Sequence, residues 1–155
     1  MNKTKYFYSC YLLSGDYSLK IDMEDWEGNT YYAEYDRFRV SGEKEHYKLH
    51  VSGFHGNAGD ALTGYKTHDG MPFSTRDRDH DNRFYDNCAE NYSGGWWFND
   101  CFESHLNGKY YQYGSHENFF QRDGMMWNPI HKYSSLKFVE MMIKPAEKAK
   151  LPNDI

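Results

Sequence analysis

The chain has 155 residues, enough for one domain with a real core. Its net charge of −5 supplies no basic patch for phosphates, which argues against a nucleic-acid partner. No run approaches the roughly eighteen apolar residues that a membrane-crossing helix needs.

Aromatic residues make up 19% of the chain, with 15 Tyr, 10 Phe and 4 Trp. Tyrosine at this density suits a loop-rich extracellular recognition surface, since it offers contact area at low entropic cost. There are 3 cysteines, an odd number. Cys88 and Cys101 read as partners, leaving Cys10 over, and a leftover cysteine suggests an absent partner, an intermolecular bridge or a free thiol. The opening MNKTKYFYSCYLLSG is lysine-bearing, but its apolar stretch is broken by Tyr, Ser and Cys, so it makes a poor signal peptide. A secreted chain of this kind is then expected to be a fragment or an N-terminally incomplete product.

From Tyr17 the pattern alternates. Tyr17, Leu19, Ile21 and Met23 face one way, and Ser18, Lys20 and Asp22 the other, which predicts a half-buried strand. Glu27-Gly28-Asn29-Thr30 reads as a turn into the aromatic run Tyr31–Tyr35, so the two runs form a hairpin. Phe38-Arg39-Val40 continues outward and Ser41-Gly42-Glu43 turns the chain. Tyr47, Leu49 and Val51 alternate with Lys48 and His50 in a further strand. After Gly53 sustained periodicity is scarce until about Pro129, and loops this long in a compact domain are usually functional or disordered. Leu136–Ile143 is apolar on both faces, which predicts a central strand, stopped by Pro145. A polar tail follows.

Within the long irregular region, Asp77, Asp79 and Asp81 stand at alternate positions, just ahead of Cys88, Gly94-Gly95-Trp96-Trp97 and Cys101. Alternating carboxylates in a loop offer the oxygen ligands a hard cation such as Ca²⁺ takes. A solvated acidic turn that binds nothing is the alternative. An EF-hand is excluded, because the sixth and twelfth positions from Asp77 hold Asn82 and Cys88 rather than Gly and Glu. His46 and His50 on one strand would share a face about 13 Å apart, too far for one zinc ion. No Cys-x-x-Cys, His-Glu-x-x-His or Gly-x-Ser-x-Gly occurs, and no enzyme is expected. Asn2-Lys-Thr4 and Asn91-Tyr-Ser93 are acceptor tripeptides for glycosylation.

Several segments in order carry a family resemblance: YSLKIDMEDWEGNTYYAEYDRFRV, YKLHVSGFHGNAGDAL, DGMPFSTRDRDHDN, NCAENYSGGWWFNDC, HLNGKYY and SLKFVEMMIKP. With these the chain resembles the fibrinogen C-terminal domain family over residues 17–145, with residues 1–16 ahead of the match and 146–155 as the tail. The resemblance implies an α+β domain, a mainly antiparallel sheet followed by a loop-rich Ca²⁺-binding subdomain closed by a disulfide. The family's N-terminal subdomain has no counterpart here, so the sheet is expected to expose an edge, an aggregation liability.

Carried over by residue, the resemblance implies Asp79 and Asp81 as Ca²⁺ ligands, completed by two carbonyls from Arg83 or Phe84 and from Asp86. It implies a Cys88–Cys101 disulfide and matches Asp100–Cys101 to a peptide that is cis in several members. The adjoining ligand pocket would be lined by Tyr92, Asp100, Cys101, Phe102, Phe119 and Phe120. In lectin-like members that pocket takes acetylated or small acidic ligands, and the residue after the second cysteine is often histidine. Phe102 stands there instead and has no hydrogen bond to give. The resemblance therefore implies an extracellular Ca²⁺-dependent recognition module, lectin-like toward carbohydrate or acetylated ligands. The alternative is a protein ligand of angiopoietin or fibrinogen-like type, binding a receptor or matrix partner.

Overall fold

The computed structural model describes residues 16–115 and 120–146. Strand β1, Tyr17–Glu24, buries Leu19, Ile21 and Met23 and leaves the alternate residues facing outward, as its period-2 pattern demands. It turns back through Asp25–Asn29 into β2, Thr30–Val40, with Gly28 at φ 88° supplying the left-handed turn residue. After a 3-10 turn at Glu43–Glu45 comes β3, Leu49–Gly56. The last strand of the sheet, here β6, is Phe138–Pro145. The order is β3-β2-β1-β6 and every pairing is antiparallel. Between β3 and β6 lie only a one-turn helix, α1 (Cys88–Asn91), the two-residue strands β4 (Ser104–His105) and β5 (Met126–Trp127), and a 3-10 turn at Gln112–Gly114. The expected sheet-then-loops architecture is found, with one α-helical turn among the described residues.

Three sequence expectations are corrected. Leu136–Ile143 is expected as a central strand, but among the described residues β6 pairs only with β1, and most of its side chains are exposed. Apolarity on both faces records what a strand is built to touch, not how many neighbours the sheet supplies. Tyr47 lies outside β3, at φ 54°, where its carbonyl accepts from Trp97 Nε1 at 2.8 Å. His46, at φ 52°, closes the 3-10 turn, so it shares no strand face with His50 and instead stacks on His80 at 3.9 Å. Cys10, Asn2, Thr4, Phe119 and the tail from 147 onward lie outside the described residues.

The core is a sandwich of unequal layers. One face of the sheet contributes Leu19, Ile21, Met23, Ala33, Tyr35, Phe38, Leu49 and Val51. The irregular half covers it with Ala61, Leu62, Trp96, Phe98, Trp127 and Leu136. Polar contacts lock the layers together: Trp127 Nε1 donates to the carbonyls of Ala58 (3.1 Å) and Gly59 (3.0 Å), and Tyr35 Oη donates to Asp60 at 2.8 Å. Little of the second layer is regular, so its backbone polar groups need other partners. Buried His68 supplies two. Its Nε2 accepts from the N–H groups of Glu103 and Ser104, both at 3.2 Å, which leaves Nδ1 to donate to the Trp97 carbonyl at 2.6 Å. His105, also buried, donates from Nε2 to the Tyr92 carbonyl at 2.9 Å. Burial pushes both imidazoles down to about 4 from 6.5, since the charged form has no water to solvate it.

Two outcomes follow from this packing. Ile21→Ala should cost about 2–5 kcal/mol in urea unfolding, because the sheet beneath it leaves little room to collapse. The depressed histidines set a pH window. The unfolded chain protonates them near 6.5 and the folded one only near 4, so their contribution is complete above pH 6.5 and is lost as pH falls toward 4. At pH 5 stability should be lower than at pH 7 by roughly 2 kcal/mol per histidine. His68→Asn should start less stable at pH 7 but lose less between pH 7 and pH 5, measured by the same unfolding curves.

Candidate functional site

The acidic loop is built from its own side chains. Asp81 accepts from the N–H of Arg83 on one carboxylate oxygen and from the N–H of Cys88 on the other, both at 2.8 Å. Asp79 in turn accepts from the Asp81 N–H at 3.1 Å. The loop is anchored at its start by Ser74, whose hydroxyl accepts from His80 N at 3.0 Å and whose backbone pairs with Trp96. At its end Asn87 caps α1, accepting from Glu90 N at 3.1 Å, while its side-chain amide donates to the carbonyls of Thr75 and Arg76. Cys88, the first residue of α1, is bonded to Cys101 with their Cα atoms 5.7 Å apart. The Asp100–Cys101 peptide is cis.

Burial, followed by the neighbouring charge of Asp79, raises the Asp81 carboxyl above its ordinary value despite the two backbone hydrogen bonds. Two carboxylates thus stand side by side, where a neighbouring cation would offset their charge. Arg83 does not supply it, because its guanidinium pairs with Asp86 at 2.6 Å and lies 4.0 Å from Asp100. Asp77 is turned to the Thr75 hydroxyl at 2.8 Å and stands apart from the pair. His80, between the two aspartates in sequence, is stacked on His46. The donor set around Asp79 and Asp81 is oxygen, which fits a hard divalent cation.

The residues expected around a ligand divide in two. Tyr92 lies on a shallow open depression with Arg83, Asn91, Phe120 and Gln121. Phe120 is exposed, as is Asp100, whose carbonyl accepts from the Lys66 ammonium. Phe102 and Cys101 are buried. The Phe102 ring packs edge-on against Tyr92 at 4.8 Å and lies under the Arg122 guanidinium at 5.2 Å, so its ring is floor rather than wall. Among the carbonyl candidates, Phe84 carries a side chain that is 89% exposed, followed by Tyr85 at 90%.

Two carboxylate clusters were not read from the sequence. Asp123 is buried and accepts from Lys109 Nζ (2.8 Å), Tyr111 Oη (2.8 Å) and the Ser93 hydroxyl (3.3 Å), tying the strand-poor segments together beside Gly94. Burial alone would raise its carboxyl, but the Lys109 and Tyr111 contacts outweigh that and lower it. Asp25 and Glu27 meet His131, whose Nε2 is 3.3 Å and 3.9 Å from their oxygens. Asp25 is already bonded to Asn29 through both its backbone and side-chain amides and to Tyr31 Oη. Burial would raise its carboxyl, but these bonds prevail and hold it well below the usual carboxylate range. This cluster clamps the β1–β2 turn to the segment before β6. Partners so distant in sequence leave no local spacing by which to find them.

The profile described as the fibrinogen beta and gamma chains' C-terminal globular domain matches residues 10–146. Fibrinogen-like protein 1 of Rattus norvegicus is 42% identical over 146 residues, covering 87% of this chain and 45% of its own length. Angiopoietin-related protein 2 of Mus musculus is 47% identical over 132 residues, covering 84% of this chain and 26% of its own. The chain thus spans less than half of the curated relatives it matches. Among solved structures, the fibrinogen-like globe domain of human ANGPTL2 superposes with a TM-score of 0.78 at 46% identity, over 85% of this chain and 59% of that one. The lamprey fibrin D-dimer complexed with the peptide Gly-His-Arg-Pro-amide also gives 0.78, at 35% identity over 90% of this chain and 48% of that one. The described residues contain no helix long and apolar enough to cross a membrane. This chain belongs to the fibrinogen C-terminal domain family.

Proposed function

We propose that the domain is an extracellular recognition module whose binding loops are held by Ca²⁺, and that its ligand is a protein. The observation that carries the first part is the adjacency of Asp79 and Asp81 on one short loop, with Asp79 accepting from the Asp81 N–H and Asp81 hydrogen-bonded to Cys88 of the disulfide. An ion bound there would neutralise both carboxylates and stiffen the segment from Asp79 to Cys88. Arg83, Phe84 and Asp86 are the residues whose carbonyls would complete the shell.

The ligand class rests on the surface chemistry. Phe102 is buried, with no hydrogen bond to offer an acetyl oxygen, while Phe120 is exposed on the Tyr92 depression and Phe84 and Tyr85, packed edge-on against each other, are exposed on the acidic loop. Exposed aromatic side chains suit a protein interface. Relatives named as fibrinogen-like and angiopoietin-related proteins, and a neighbour solved with a peptide, support this reading. A lectin-like module taking carbohydrate or acetylated ligands, of innate-immune type, is the second reading, favoured by the Tyr92 depression that a small ligand would fill.

Thermal unfolding should show a transition that millimolar Ca²⁺ raises and chelator lowers, worth about 2.7 kcal/mol when Ca²⁺ is a hundredfold above its Kd. Asp79→Ala and Asp81→Asn should each abolish the Ca²⁺ increment, and a transition indifferent to Ca²⁺ in the unaltered chain would remove the ion from the site. On an acetylated resin the protein should pass through unretained. Retention that free N-acetylglucosamine elutes would instead establish the lectin-like reading.

A further inference from the structure

Asn91 stands where a covalent group would meet the recognition surface. It opens the acceptor tripeptide Asn91-Tyr92-Ser93, and a group as bulky as a glycan needs a surface position. Asn91 has one: it is exposed, at the last residue of α1, with its backbone N–H donating to the Asn87 carbonyl at 3.0 Å. Together with Arg83, Tyr92, Phe120 and Gln121 it lines the shallow depression. Its side-chain Nδ2 donates to Asp86 Oδ2 at 2.8 Å. An amide nitrogen has two hydrogens, so one that carries a sugar still has a donor for Asp86. The side chain thus combines room for the group with an anchor that holds its base in place.

We propose that Asn91 is an N-glycan acceptor and that its glycan caps the Tyr92 depression, so that occupancy at this residue decides whether the depression can receive a ligand. This assignment rests on the extracellular reading, since only a chain that enters a secretory compartment meets the transferase. In the transfer, Asn91 Nδ2 attacks the anomeric carbon of a lipid pyrophosphate-linked oligosaccharide. The N–C bond forms as the C–O bond to pyrophosphate breaks. Nδ2 gives up one proton, and the lipid pyrophosphate leaves with the electron pair of the broken bond. The folded geometry sets the order of events. Ser93 is held at φ 61°, and its hydroxyl donates to buried Asp123 at 3.3 Å. Asn91 itself is fixed in the helical turn that begins at disulfide-bonded Cys88. A transferase needs the amide and the hydroxyl free on one flexible segment, and folding withdraws both. Transfer therefore precedes closure of the Cys88–Cys101 loop, and chains that fold first escape it. Two populations result, one capped and one open.

The full chain, expressed behind a cleavable secretory leader in cultured animal cells, tests this. Peptide-N-glycosidase in ¹⁸O-water converts each glycosylated asparagine to a heavy aspartate, and peptide mass mapping of cells and medium together locates it. A heavy aspartate at position 91 is expected in part of the chains, lost in Asn91→Gln and in Ser93→Ala and kept in Asn2→Gln. Reductant during synthesis, which holds Cys88 and Cys101 open, should raise the marked fraction. An unmarked Asn91 in disulfide-bonded chain from the medium overturns the inference and leaves the extracellular reading standing. A chain retained in the cell with neither the disulfide nor the mark overturns both. Capping is read separately by hydroxyl-radical footprinting. Phe120, 84% exposed on the depression, should be oxidised less in glycosylated chain than in Asn91→Gln, while Tyr32 on β2 should react alike in the two. Equal oxidation of Phe120 in both would show a glycan that leaves the depression open, which overturns its role as a cap.

Discussion

An uncharged imidazole holds the irregular half of this domain in place. His68 reads three backbone groups at once, two N–H groups after the disulfide and a carbonyl before it, and it can do so only while Nε2 carries no proton. Trp97 and Ser104 are thereby fixed relative to the turn that follows β3. Trp96 and Phe98 are pinned beneath, and the Cys101–Phe102 segment is delivered beside Tyr92. In a regular sheet or helix these backbone groups would satisfy each other. In a layer built of loops a single side chain has to replace a ladder, and its burial is the condition of its neutrality.

The sequence was informative where structure is local. Alternation from Leu19 to Met23 announces β1, Gly28 announces its turn, and Asp79 and Asp81 can be found because both lie on one short loop. The family resemblance drew attention to Tyr92 and Phe102, but a motif carries no information on whether Phe102 faces in or out. That depends on Arg122 and Tyr92 closing over its ring. His68, Asp123 and the Asp25–His131 contact were invisible for a related reason, since each gains its role from residues far along the chain. That β6 has β1 as its one neighbour among the described residues was not legible for another reason: an apolar strand writes its own affinity into the sequence, while its neighbours are written elsewhere.

Electrostatics and covalent chemistry act on the same loop from opposite directions. The Cys88–Cys101 bond ties the ends of the aromatic loop together by covalent chemistry, which neither salt nor divalent ions affect. The aspartate pair does the reverse, since repulsion between Asp79 and Asp81 works against the compact form that the backbone hydrogen bonds favour. The frame of the loop is therefore covalent, while its acidic rim is held by hydrogen bonds that work against charge repulsion.

The position of β6 also has a consequence for how the chain comes into being. β1 can pair at once with β2, which follows it directly, but its other edge waits for residues far downstream, Glu24 for Phe138 and Tyr17 for Pro145. Contacts so remote in sequence are slow to form, because the intervening chain must be gathered before any of them is rewarded. Throughout synthesis the buried row of Leu19, Ile21 and Met23 has a finished hairpin on one side and open backbone on the other. Until β6 is in place, that open side of β1 is the kind of unpaired strand through which folding intermediates aggregate.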